Sequence, residues 1–450
     1  PNATINDGSD RSTLKWVDFM DPNTACPNTP FVEGTDDPSE LVGHFLGAHY
    51  HTKKAWRPAY NGRMRGNVYP FGPVSYDHVK SVLDPYHEHD FAQTYVGDFD
   101  GDGRSDTVIH NATALELYIS NGTHTLPQWV QALPLGDWDF ADHDRFLVGD
   151  FDADGRDDLF AYNMVDFSQP RFALFRSEAP GFTNVVQYHG SLPGWGLMRP
   201  GDKFYVADFD GDGKADLYAS NTGLGDWTVG YFGMIRSTGS GLEAVTLYVD
   251  RLPGWDKMKP GDQFYVANID GVGGKDLYVV NNTDWCTGYL LSLLSTGTGL
   301  AQGVRYDQVV PGWANLMPGD KYFVADFEDT GREGLYAFNG ADWSTPYLGV
   351  MRSTGHGLVD VPILHQGYVA GWGDIKPNDQ FMVGNVNGQG GTDLFGVNSA
   401  DWPRKMIGRL IAHPDGFQGN LQADVGGKRT QASDDVFHVS NFTGTPGGSR

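Results

Sequence analysis

Four aspartates, Asp98, Asp100, Asp102 and Asp106, fall in the pattern D-x-D-x-D-G-x-x-D. The spacing returns at Asp150, Asp152, Asp154 and Asp158, and again at Asp208, Asp210, Asp212 and Asp216. Alternate carboxylates on a tight turn converge on one point, and a hard cation such as Ca2+ takes roughly six to eight oxygen ligands. The glycine lets each turn fold back without strain. With no ion, carboxylates this close would repel one another by roughly a few kcal/mol. The expected cofactor is Ca2+ in a structural role, tying neighbouring strands rather than taking part in chemistry. Three related turns have lost carboxylates: Asn268-x-Asp270-x-Val272, Asp326-x-Glu328-x-Thr330 and Asn385-x-Asn387-x-Gln389. There, and as the alternative throughout, the side chains cap Asx-turns and hold no ion.

Proton chemistry points elsewhere. His110 differs from its equivalents in the repeats, Tyr162, Ser220, Val280, Phe338 and Val397, and function belongs where repeats differ. The segment PYHEHD (85–90) adds His87, Glu88 and His89 where other repeats carry a Pro-Gly-Trp corner. A histidine gains or loses a proton near neutral pH, so His110, His87 and His89 form a candidate acid/base set, with Tyr162 in reserve. The bland alternative for each is a surface histidine or a satisfied core histidine. Residues 41–76 contain no Asp or Glu but hold Lys53, Lys54, Arg57, Arg63 and Arg65 beside Tyr50, Trp56 and Tyr60. Arginine forks match carboxylates and aromatic faces match sugar rings, which marks Arg57, Arg63, Arg65 and Tyr60 as candidate binders of an acidic glycan. The alternative is a solvated basic insertion bound to an acidic body.

The elements that must position these groups are repeated. VADFDGDGKADLYASN (206–221) returns at 96–111, 148–163, 266–281, 324–339 and 383–398, in steps of 52 to 60 residues. Each copy reads as an apolar strand, a tight turn and a second strand. A third strand such as YFGMIRS (231–237), a Gly-rich hairpin and a fourth strand follow. That fourth strand ends at a corner bearing Trp195, Trp255, Trp313 or Trp372. Four antiparallel strands per unit, radially repeated, describe the blades of a β-propeller. The repeated Asn and Asp-Trp positions read as scaffold.

At the ends, DDVFHVSNFTG (434–444) matches an opening strand, and DGSDRSTLKWVD (7–18) matches a turn plus second strand. The expected fold is all-β: one seven-bladed propeller over 1–450, closed by a blade split between the termini. Residues 41–76 are an insertion and 430–444 the closing strand. Eight blades follow instead if ELVGHFLG (40–47) is an inner strand rather than a third strand.

The totals agree with this reading. The chain has 450 residues, 60 of them glycine, and a formal charge of −25. An anionic chain excludes nucleic acid and acidic membranes as natural partners. No apolar run is long enough to cross a membrane as a helix. Pro1-Asn2 reads as the start of a mature chain, and sequons at Asn2, Asn111, Asn121, Asn281 and Asn441 favour a secreted, extracellular glycoprotein. Two cysteines, Cys26 and Cys286, form either one bridge or two thiols.

The signature resembles the FG-GAP or VCBS repeats of integrin α-subunit propellers and of secreted lectins and polysaccharide-active enzymes. More narrowly, the acidic, sequon-bearing propeller is similar to fungal lyases that remove terminal rhamnose from glucuronate on arabinogalactan. That resemblance implies a monomeric polysaccharide lyase working by β-elimination on an acidic glycan. Arginine would neutralise the uronate, and histidines would move the protons. The alternatives are a calcium-containing lectin that does no chemistry and a glycosidase using two carboxylates, for which no pair stands out.

Overall fold

A computed structural model describes residues 4–5, 42–48, 51–59 and, apart from short loop stretches, 93–423. The chain divides into two compact units, 1–92 and 93–450. No helix occurs among the described residues.

The second unit holds six four-stranded antiparallel sheets in simple sequential order. Their inner strands are Gln93–Gly97, Arg145–Gly149, Lys203–Ala207, Gln263–Ala267, Lys321–Ala325 and Gln380–Gly384. Successive inner strands lie side by side at all five junctions between described blades, so the sheets stand radially about a common axis. This is a β-propeller. Second strands such as Asp216–Asn221 and Asp276–Asn281 are buried at every residue, which explains their unbroken apolar runs. Between third and fourth strands the register slips at one equivalent place in four blades, at Leu117/Tyr118, Leu174/Phe175, Met234/Ile235 and Leu291/Leu293. A bulge there increases local twist and bends the outer strand around the blade.

The core lies in the seams. Phe160 and Phe172 of the second blade pack with Phe204, Leu217 and Ile235 of the third, and equivalent clusters fill the other four seams between successive described blades. A backbone bond crosses every one of these seams. The turn carbonyls of Asp98, Asp150, Asp208, Asn268 and Asp326 accept from the amides of Asp157, Ala215, Lys275, Glu333 and Thr392 at 2.6–2.7 Å. A second link is made by tryptophan. Trp138, Trp195, Trp255, Trp313 and Trp372 donate through Nε1 to buried Asp144, Asp202, Asp262, Asp320 and Asp379 at 2.7–3.1 Å. The other oxygen of each aspartate accepts from Asn163, Asn221, Asn281, Asn339 or Asn398 at 2.5–2.7 Å. The repeated Asn is therefore scaffold, as expected, and so are the Trp corners. Trp138 joins this set although Gly136-Asp137 precedes it in place of Pro-Gly.

The expected count of seven blades, or eight, is corrected to six among the described residues. A blade needs its own turn and four paired strands, and six stretches supply both. The segments assigned to the split blade, 7–18 and 430–444, lie outside the described residues. Of ELVGHFLG, Val42–Ala48 is a strand of the first unit. It pairs antiparallel with His51–Ala59, whose other edge receives Thr4–Ile5. The basic stretch thus begins as a strand carrying Lys53, Lys54 and Arg57.

Candidate functional site

Two regions gather chemistry, one at each end of the inner strands. At the turn end, Asp98, Asp100 and Asp106 bring one carboxylate oxygen each to within 4.8 Å of one another, as do Asp150, Asp152 and Asp158, and Asp208, Asp210 and Asp216. The first carboxylate of each turn also caps it: Asp98 accepts from the amides of Gly101, Asp102 and Gly103 at 2.8–3.0 Å. The last is a buried pin. Asp106 accepts from Phe99 N at 3.0 Å and Ser120 N at 2.7 Å, joining the turn to the third strand. Asp276 makes the equivalent pin without a surrounding carboxylate trio, so this position is structural in its own right.

Burial pushes these carboxyls up, and neighbouring aspartates add to it. Asp106 rises to about 6, Asp158 to about 7 and Asp216 to about 8. A trio of oxygens with this strained charge suits a hard cation, and the residues present fit one. Asp102, Asp154 and Asp212 depart from expectation. They stand outside the trios and pair with Arg104, Arg156 and Lys214. A basic residue two positions on offers each of them a nearer partner. Among the described residues, the turns at Asn268, Asp326 and Asn385 form no such trio.

At the opposite end lies the seam between the first and second blades. His110 faces Gln93 across the first sheet, and Tyr162 faces Arg145 across the second. With its amide oxygen toward the neighbouring blade, Gln93 accepts from Arg145 Nη1 at 2.5 Å and donates to the Asp144 carbonyl at 3.3 Å. Arg145 Nη1 also donates to that carbonyl at 2.8 Å. The Tyr95 hydroxyl bonds to Gln93 and accepts from Phe146 N at 3.3 Å. The guanidinium is exposed, and its charge acts on Tyr95, His110 and Tyr162 together.

The charge of Arg145 links His110 and Tyr162, but the Tyr162 ring packs toward the third blade, against Phe204, and His110 is not at an open mouth. Its ring is 2% exposed and packs on Phe146 and Phe140, with centroids 5.1 and 5.8 Å away. Nε2 has no hydrogen-bond partner and stands 3.8 Å from Asp144 Oδ2. Burial, then the Arg145 charge, lower its pKa to about 4, so the imidazole is neutral. The signal was in the repeats: its equivalents Ser220, Val280, Phe338 and Val397 are all buried. Tyr162 is half-buried and stacked on Phe172 at 5.9 Å. Burial raises its phenol and pushes Tyr95 to about 12, while Arg145 opposes both. Both phenols are held as proton donors.

Arg145 escaped the sequence reading. Its column, Gln93, Arg145, Lys203, Gln263, Lys321 and Gln380, is uniformly polar at the head of every inner strand, and that was the available sign. Of the remaining candidates, Arg57 lies in the strand His51–Ala59 of the first unit. Tyr60, Arg63, Arg65, His87 and His89 lie outside the described residues.

The FG-GAP-like repeat family matches residues 98–161 and 150–219. No curated protein matches the sequence. Among solved structures, a lectin from Agrocybe aegerita, described as specifically recognising non-reducing terminal N-acetylglucosamine, is similar at 17% identity. The match covers 74% of this chain and 79% of the lectin, with a TM-score of 0.51. A Bacillus licheniformis rhamnogalacturonan lyase is 16% identical over 68% of this chain and 58% of its own, with a TM-score of 0.35. The rhamnogalacturonan lyase YesW is 14% identical over 71% and 59%, also at 0.35. At 17% identity what is shared with the lectin is the fold. The chain carries FG-GAP-like repeats in a β-propeller arrangement.

Proposed function

We propose that this FG-GAP-type β-propeller is an extracellular, monomeric carbohydrate-active enzyme that cleaves a glycan at a glucuronate by β-elimination, releasing terminal rhamnose from arabinogalactan-type glycans. One observation carries the reading. The charge of exposed Arg145 acts on His110, Tyr162 and Tyr95 together, a set of residue types that the equivalent positions of the other described blades do not repeat. A uronate carboxylate at Arg145 is neutralised, and its C5 proton becomes more acidic. A base takes that proton, C4=C5 forms as the C4–O bond breaks, and a phenol donates a proton to the leaving oxygen. Tyr162 suits the donor role because burial keeps it protonated. His110, closed from a polymer, acts behind the phenols as a neutral positioning group. His87 or His89 is the proposed base. Arg57, Arg63, Arg65 and Tyr60 are proposed to bind the flanking acidic sugar. Structural Ca2+ in the three aspartate trios completes the proposal.

The test is to mix the protein with glucuronate-bearing arabinogalactan while following the ultraviolet band of the unsaturated uronate together with free rhamnose. Both signals are expected, and Arg145→Ala should lower the rate by at least about a hundredfold, since a lost charge-stabilising group has that scale. Full activity in Arg145→Ala overturns the assignment.

Two observations favour a second reading, a lectin. The one histidine of the set among the described residues is buried, and the fold is shared with a propeller that recognises a terminal sugar. Retention on a glycan column with no band and no released sugar would establish it.

A further inference from the structure

The six inner strands of the described blades contain no carboxylate, although the whole chain carries −25. Their opening residues are Gln93, Arg145, Lys203, Gln263, Lys321 and Gln380, and all but Gln93 are exposed. In every blade the register sets this residue opposite the penultimate residue of the second strand. Because inner strands of successive blades adjoin, these side chains form one arc at the axial rim, on the face away from the aspartate turns.

Charge is segregated on that face. Farther out, cations are spent on neighbours: Arg305 pairs with Asp256 at 3.1 Å and Asp307 at 2.7 Å, and Lys376 with Asp374 at 3.4 Å. At the axial rim, among the described residues, neither Lys203 nor Lys321 pairs with a carboxylate, and Lys321 Nζ instead lies 5.9 Å from the Phe338 ring centroid. Screening confines the field of the acidic body to roughly 8–10 Å at ordinary ionic strength, so a ligand at the rim meets these cations first. Ammonium and carboxamide groups beside an aromatic ring suit carboxylates and hydroxyls carried on a sugar chain.

We infer that the axial rim is an extended subsite for an acidic glycan bearing more than one carboxylate, with Lys203 and Lys321 holding uronates beyond the one at Arg145. This rests on Arg145 marking the glycan site and adds that the bound glycan carries further uronates, within reach of the rim, besides the one that is cleaved.

The experiment measures binding by calorimetry with an oligogalacturonate and with its carboxyl-reduced counterpart, at low and at high salt. The intact chain should bind the first, weakly or not at all the second, and less tightly as salt rises. Replacing both lysines (K203Q with K321Q) should weaken binding by up to about tenfold, the scale of two exposed charge pairs. Gln380→Lys, which adds a cation to the same arc, should tighten it and guards against a variant that merely misfolds. Equal affinity for both oligosaccharides, or affinity unmoved by these changes, overturns the inference. Sulfated oligosaccharide binding better than the uronate would also overturn the carboxylate assignment. Binding is read without turnover, so the two proposals fail separately. Polyuronate binding without unsaturated product removes the elimination alone; elimination with an indifferent rim removes this inference alone.

Discussion

A buried aspartate stands just before the inner strand in five of the six described blades, and Asp262→Ala isolates its contribution. Asp262 is 3% exposed and accepts from Trp255 Nε1 at 3.1 Å, Lys259 N at 2.9 Å and Asn281 Nδ2 at 2.6 Å. Removing the carboxylate strands three donors, among them the indole of Trp255, which is 4% exposed. At roughly 1–2 kcal/mol for each bond lost with its partner left buried, the expected loss is about 3–6 kcal/mol. Asp256→Ala is the control. That carboxylate is exposed and pairs with Arg305 at 3.1 Å, and such pairs contribute about 0–1 kcal/mol. Urea unfolding followed by far-ultraviolet circular dichroism and by tryptophan fluorescence compares the two. The Asp262 variant should unfold at markedly lower urea, with Trp255 emission shifted to the red as the seam loosens. Asp262→Asn keeps one acceptor oxygen and should fall between. If Asp262→Ala lies within about 1 kcal/mol of Asp256→Ala, the three bonds contribute nothing beyond an exposed pair and the seam account fails.

Other outcomes follow from the same geometry. In chelator, stability should fall as pH rises from the ordinary carboxylate value near 4 toward about 8. Asp106, Asp158 and Asp216 hold protons in the folded chain, at values of about 6, 7 and 8, that the unfolded chain has already released. Saturating Ca2+ should flatten that slope, because the ion replaces the protons; thermal scans across pH in which stability rises over this window, or in which Ca2+ leaves the slope unchanged, contradict the cation assignment. Ala153 holds φ +62 where the other two acidic turns have Gly101 and Gly211. Ala153→Gly should therefore stabilise by up to about 1 kcal/mol in urea unfolding, and a loss of stability would show that the turn is not strained there. Asn281 is fully buried and bonded to Asp262, whereas Asn121 is exposed. After secretion from a eukaryotic host, glycopeptide mass mapping should find glycan at Asn121 and none at Asn281, and a modified Asn281 would refute its place in the pin.

Much of this protein is local and therefore legible in its sequence. Period, strand alternation and turn chemistry gave four strands per unit, because each is set by residues within a few positions of one another. The aspartate trios were visible for the same reason, since Asp98, Asp100 and Asp106 lie on a single turn. Even so, Asp102, Asp154 and Asp212 turned outward, a choice made by the side chain two residues on.

The seam is another matter. Arg145 meets Gln93, its equivalent one repeat earlier, and acts on His110 across the gap between two blades, a meeting that the pattern within either blade does not specify. Alternation told that His110 ends a strand; it did not tell that Phe146 and Phe140 would close over it. The sequence by itself determined the blade, because hydrogen-bonded neighbours and turns specify it. Only the tertiary structure decided which side chains face one another between blades and which of them keep contact with water, because the partners at a seam are brought together by radial packing.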